Sequence, residues 1–166
     1  LEERSIPLPV GVSPEMTEII AARQMPPAMP VPTTTEGWLK VQAALDAPNA
    51  ELGRQAVKRT GATYEIKDIG GVRSYVVTPK TINKRFADRV FVHVHGGAFV
   101  FNGGDAVLRE AVQVAHSVGV KVISVDYRRP PTDPFPAALE DTLAVWKTVI
   151  KTQKASETAL FGTSAG

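Results

Sequence analysis

An α/β fold with parallel strands at its centre is predicted from three observations along the chain. Dense β-branched and aromatic runs at 89–95, 121–127 and 159–161 read as strands covered on both faces. Helical patterns of crossover length separate these runs, which calls for right-handed connections onto a parallel sheet. Glycine-rich turns follow the first and third runs, at the strand ends where such sheets bind ligands. With 166 residues, 43% of them apolar, one core of ordinary size is expected.

Taken in order, residues 1–60 form a helical prelude. Ser13-Pro14 offers an N-cap and a first-turn proline, with Met16, Ile19 and Ile20 on one face. Residues 25–32 are broken by four prolines and should run extended. A second helix is expected from Thr35 to Pro48 with Trp38, Val41 and Leu45 as its stripe, and a short third over Ala50–Lys58. From Ala62 the period changes. Ala62–Ile69 and Val72–Thr78 flank Gly70-Gly71 as a hairpin. After the strand ending at His95, Asp105 is expected to cap a helix facing inward through Leu108, Val112, Ala115 and Val118. After the strand over 121–127, Leu139, Leu143, Trp146 and Ile150 define the stripe of the next helix.

Composition excludes several functions. Nineteen basic residues against 17 acidic ones leave a net charge of +2 with no basic run, so nucleic acid is not an expected partner. No cysteine is present, which removes disulfides, thiolate metal sites and a cysteine nucleophile. No apolar stretch is long enough for a membrane span, and the first residues lack a signal-peptide h-region. A cytoplasmic protein without cofactor or metal is the expectation. A His93–His95 metal pair lacks an evident third ligand. A phosphate site at Gly103-Gly104-Asp105 lacks both nucleotide-binding glycine signatures and carries a repelling aspartate.

Two motifs carry the chemistry. Gly162-Thr163-Ser164-Ala165-Gly166 is G-x-S-x-G, a strand-to-helix turn that pushes a serine hydroxyl outward for attack. His95-Gly96-Gly97-Ala98 follows the first parallel strand. Attack on an acyl carbon creates an oxyanion that needs fixed N–H donors, and glycines let backbone N–H groups approach it. A lone G-x-S-x-G arises in roughly one such chain in twenty at average residue usage. The ordered pair of motifs is far rarer. Ser164 is therefore the candidate nucleophile, with Gly96, Gly97 and Ala165 as oxyanion donors and Ala98 as a further one. His95 precedes the serine and is read as a neutral imidazole bracing the glycine turn. His93 is read as a satisfied core histidine.

With Asp126-Tyr127-Arg128 and the stretch from Pro134 to Asp141, these motifs resemble the bacterial hormone-sensitive-lipase family of α/β-hydrolases over residues 62–166. The resemblance implies the N-terminal half of that fold over 61–166 and a helical cap segment over 1–60. It also implies a serine carboxylesterase for short- to medium-chain esters. The triad acid and histidine follow the serine in this fold. They are expected in polypeptide beyond Gly166, making this chain an incomplete enzyme alone. Three departures stand out: Ala98 in place of a third glycine, Thr163 where another branch has aspartate, and 129–133 in place of Leu-Ala-Pro-Glu. The alternatives are a non-catalytic ligand-binding protein on the same fold or an inactive fragment. Asp126, Asp133, Glu140 and Asp141 are assigned structural roles beside Arg128 and Arg129.

Overall fold

The computed structural model describes residues 7–22 and 31–166. It divides into two compact units, residues 1–31 and 32–166. The described part of the first holds one helix, α1 (Pro14–Ala22), whose Met16 amide donates to the Ser13 hydroxyl at 3.3 Å. Most of the proline-rich stretch, including Met25 and Met29, lies outside the described residues.

The second unit opens with α2 (Thr35–Thr60), capped by the Thr34 hydroxyl and closed by Gly61 in the left-handed region at φ 68°. One continuous helix thus replaces the two expected from Pro48. Proline forfeits the amide donor to the Ala44 carbonyl and crowds the preceding turn, a local cost that the helical bonds on either side offset in part. Packing supplies the rest: a Cβ on Gly53 would lie 2.7 Å from the Asp105 carbonyl and 3.0 Å from Leu108 Cβ. Tertiary contact of this closeness overrides local propensity. The buried positions are Gln42, Gly53, Ala56 and Thr60, and the expected stripe residue Leu45 is exposed.

A five-stranded sheet follows. Strands β1 (Thr63–Ile69), β2 (Val72–Thr78), β3 (Val90–Val94), β4 (Lys121–Val125) and β5 (Thr158–Gly162) are ordered β1-β2-β4-β3-β5. The hairpin β1–β2 and the β2–β4 pair are antiparallel, while β4, β3 and β5 run parallel. The crossover helices are α3 (Leu108–Val118) and α4 (Ala137–Val149). With α2, α3 covers one face through Leu108, Ala111, Val112 and Ala115 against Tyr75, Val77 and Val122. On the other face Val145 and Val149 of α4 pack with Val92, Val125 and Tyr127. The expected α/β fold is therefore present, with β3 and β5 as neighbours and Val94 opposite Gly162.

Two further expectations are corrected. Asp105 does not cap α3: it lies in a single 3-10 turn (Gly104–Val107) that precedes the helix. Its carboxylate instead accepts from Arg54 Nη1 and the Tyr75 hydroxyl, each at 3.0 Å. In α4 the buried face is Ala137, Asp141, Val145 and Val149; of the expected stripe, Trp146 packs against the core, while Leu139, Leu143 and the C-cap residue Ile150 are exposed. The helix is apolar on more than one side, so period alone does not choose its inner face. An ion pair does: Asp141 is buried and grips the Arg128 guanidinium through both oxygens at 2.8–3.1 Å, while also accepting from the Arg128 amide.

Candidate active site

The two motif turns meet because their strands are adjacent. A Cβ on Gly96 would fall 2.8 Å from the Thr163 carbonyl and 3.2 Å from Ser164 Cβ, so the His95 turn lies flush against the elbow. The elbow is equally closed from below. A Cβ on Gly162 would press on the Val94 carbonyl at 2.7 Å, and one on Gly166 would meet the Val94 carbonyl and His95. Glycine is required at all three positions by contact, whatever the local φ.

Left-handed non-glycine backbone among the described residues is confined to the elbow and the glycine loop. Among the described residues, the non-glycine positions at positive φ are Ala98 (54°), Phe99 (62°), Asn102 (69°) and Ser164 (55°). Each costs of order 1–2 kcal/mol and persists where surrounding contacts fix it. Ser164 is exposed and its hydroxyl makes no hydrogen bond among the described residues. No acceptor among them meets the amides of Gly96, Gly97, Ala98 or Ala165. Ser164, Gly96 and Gly97 border an open cleft of about 420 Å³ that Glu110 and Gln113 of α3 also line.

His95 is 2% exposed, stacks on Tyr127 with centroids 4.0 Å apart, and places Nδ1 2.9 Å from the Gly96 carbonyl. That carbonyl can only accept, so Nδ1 carries the proton. Burial lowers the His95 pKa to about 4, keeping the ring neutral. Tyr127 completes the brace by donating to the His95 carbonyl at 2.7 Å. The geometry places His95 under the turn, with its free Nε2 buried.

His93 points to the α3 side, with Nδ1 2.8 Å from Ser124 Oγ and Nε2 3.1 Å from Glu110 Oε2. Both ring nitrogens of His93 are thus engaged. The same Glu110 oxygen accepts from Thr163 Oγ1 at 2.9 Å. A polar chain therefore runs from Ser124 through His93 and Glu110 to the residue before Ser164. The His93 hydrogen bond leads in lowering the Glu110 pKa; partial burial opposes it and Thr163 assists. Sequence reasoning missed Glu110, because a charged residue on a helix otherwise reads as solvated.

It also missed the anchorage of the glycine turn to α2. Gln42 Nε2 donates to the Val100 carbonyl at 2.7 Å and also to that of Pro130. Asp46 accepts from the Asn102 amide and from Arg129 Nη1, the latter at 2.9 Å. Asn49 Nδ2 donates to Asn102 Oδ1 at 2.9 Å. A polar series at 42, 46 and 49, spaced to share one helix face, was the available signal. Asp126 accepts from the Gly104 amide at 2.9 Å, a structural role of the kind expected for it.

Residues 91–166 match a family model described as the alpha/beta hydrolase fold. The structure of an esterase, E25, superposes with a TM-score of 0.83 at 36% identity, covering 98% of this chain and 51% of that one. Versiconal hemiacetal acetate esterase stcI of Emericella nidulans is 30% identical over 79% of this chain and 43% of its own length. Hormone-sensitive lipase of Homo sapiens is 27% identical over 76% of this chain and 13% of its own length. The chain thus spans less than half the length of these two relatives and about half that of the solved esterase.

Proposed function

We propose, for this member of the hormone-sensitive-lipase family of α/β-hydrolases, the nucleophile and oxyanion hole of a serine carboxylesterase acting on short- to medium-chain acyl esters. The observation that carries the reading is the contact between the Gly96 turn and the elbow, with unpaired amides beside an outward serine at positive φ.

In this reading Ser164 Oγ attacks the ester carbonyl carbon and gives its proton to a histidine beyond residue 166. The carbonyl π pair moves onto oxygen, and the amides of Gly96, Gly97 and Ala165 stabilise the charge, with Ala98 as a further donor. Collapse of the intermediate breaks the C–O bond, and the alcohol leaves with the histidine's proton. Water then attacks the acyl-enzyme and releases the carboxylic acid and free Ser164. The acid that orients the histidine comes from the same further polypeptide. The chemistry as proposed needs no cofactor. His95 takes no proton: its low pKa and buried Nε2 fit it to support the turn.

Residues 1–60 are assigned as the cap segment and 61–166 as the hydrolase core. A cytoplasmic location accords with the absence of cysteine. Among the described residues no helix is long and apolar enough to cross a membrane. The test is a fluorophosphonate probe on the full polypeptide. Labelling should map to Ser164 and vanish with Ser164→Ala, along with hydrolysis of a chromogenic butyrate ester. An intact folded protein that forms no adduct rejects the reading.

A further inference from the structure

Asn102 occupies the far end of the glycine turn, and we propose that it is a positioning residue that aims the Gly97 amide at the reacting oxygen. The inference rests on the esterase reading above and assigns a specific determinant of its oxyanion hole.

The orientation of the Asn102 amide follows from its neighbours. Arg109 Nη1 lies 2.8 Å from Asn49 Oδ1 and can only donate, while the Leu45 carbonyl can only accept from Asn49 Nδ2. That same Nδ2 therefore faces Asn102 Oδ1, at 2.9 Å. Asn102 Nδ2 is left facing the Gly96 carbonyl, at 3.0 Å. Flipping the Asn102 amide would set two donors against each other on the α2 side and two acceptors against each other on the turn side.

The Gly96 carbonyl thus receives two donors, Asn102 Nδ2 and His95 Nδ1. The Gly96–Gly97 peptide is trans, so its N–H points opposite to its C=O. Holding the carbonyl down holds the Gly97 N–H up, towards the cleft. His95 is adjacent in sequence and moves with the turn. Asn102 ties the same carbonyl to α2, through Asn49 and through Asp46, which accepts from the Asn102 amide. The side-chain amide also sits close beneath the turn, 3.0 Å from where a Cβ on Gly97 would be. At φ 69°, asparagine is among the few non-glycine residues suited to the position.

The glycine variant isolates this role, because Asn102→Gly relaxes the left-handed backbone while deleting the side-chain donor. In the full polypeptide kcat should fall about tenfold with KM within about twofold, as expected for an interaction made in the transition state. The inhibition constant of a trifluoromethyl ketone, which forms an oxyanion adduct with the serine, should rise by the same factor. Asn102→Asp should lose more, about a hundredfold, since a carboxylate oxygen then faces the Gly96 carbonyl. Should Asn102→Gly fail to fold, Asn49→Ala reads the same path, with a smaller fall in kcat. A wild-type kcat in these variants, or a loss confined to KM, overturns the proposal while the esterase reading stands. A wild-type protein inert to ester and fluorophosphonate alike removes both.

Discussion

Glu110 and Thr163 join through a hydrogen bond of 2.9 Å, the only side-chain link among the described residues between α3 and the elbow. The bond matters because Thr163 precedes Ser164, whose φ of 55° has to be held against relaxation. The receiving oxygen also takes His93 Nε2 at 3.1 Å, which anchors it to the sheet. Thr163→Val keeps the shape and deletes the donor. It should cost about 1 kcal/mol of stability, the scale of an ordinary hydrogen bond, because solvent exposure discounts the charge on the acceptor, measured by urea unfolding. Thr163→Ser should recover most of that loss, and a double mutant with Glu110→Ala should show the two losses to be non-additive.

Acid should weaken the fold through His95. Its folded pKa of about 4 lies below the ordinary 6.5, so the unfolded chain binds more protons between these values. Stability is thus fully present above pH 6.5 and is lost as pH falls towards 4. The span corresponds to roughly 3 kcal/mol for a buried imidazole. His95→Asn retains a donor for the Gly96 carbonyl and does not titrate. Urea midpoints at pH 7 and pH 5 should differ clearly in the wild type and much less in the variant, after the shared contribution of carboxylates is subtracted.

Glycine positions should separate by contact. Gly96→Ala drives a Cβ into the Thr163 carbonyl and Ser164 Cβ, so it displaces the elbow. The proposed esterase activity of the full polypeptide should fall at least about a hundredfold, the scale of a lost oxyanion donor. Gly71→Ala meets nothing within 4 Å and pays only for its φ of 84°. It should cost about 1 kcal/mol of stability and leave kcat unchanged. Steady-state kinetics and thermal unfolding of the two variants make the comparison.

Much of the sheet was legible in the sequence because its signals are local and strong. Gly70-Gly71 marks the hairpin, and the β-branched runs mark the three parallel strands. The contact between the Gly96 turn and the elbow was legible because close backbone approach requires glycines at fixed spacing. The inner face of α4 was not, since Asp141 is buried only by virtue of Arg128, a partner thirteen positions away that no helical period reports. Pro48 misled because its cost is offset by packing on α3, a long-range effect. Asn102, Asn49 and Glu110 stayed hidden for the same reason: each is an ordinary polar residue until the fold supplies its partner.

The adjacency of β3 and β5 carries a kinetic consequence. The hairpin and the β3–β4 pair close comparatively short loops, whereas the pairing of Val94 with Gly162 spans both crossover segments. Contacts of such high sequence separation form late, once the entropy of loop closure has been met by the rest of the sheet. Partly folded molecules should therefore protect the hairpin in hydrogen exchange before β5, and under the proposed function the serine of the full polypeptide should become reactive only in the last folding phase.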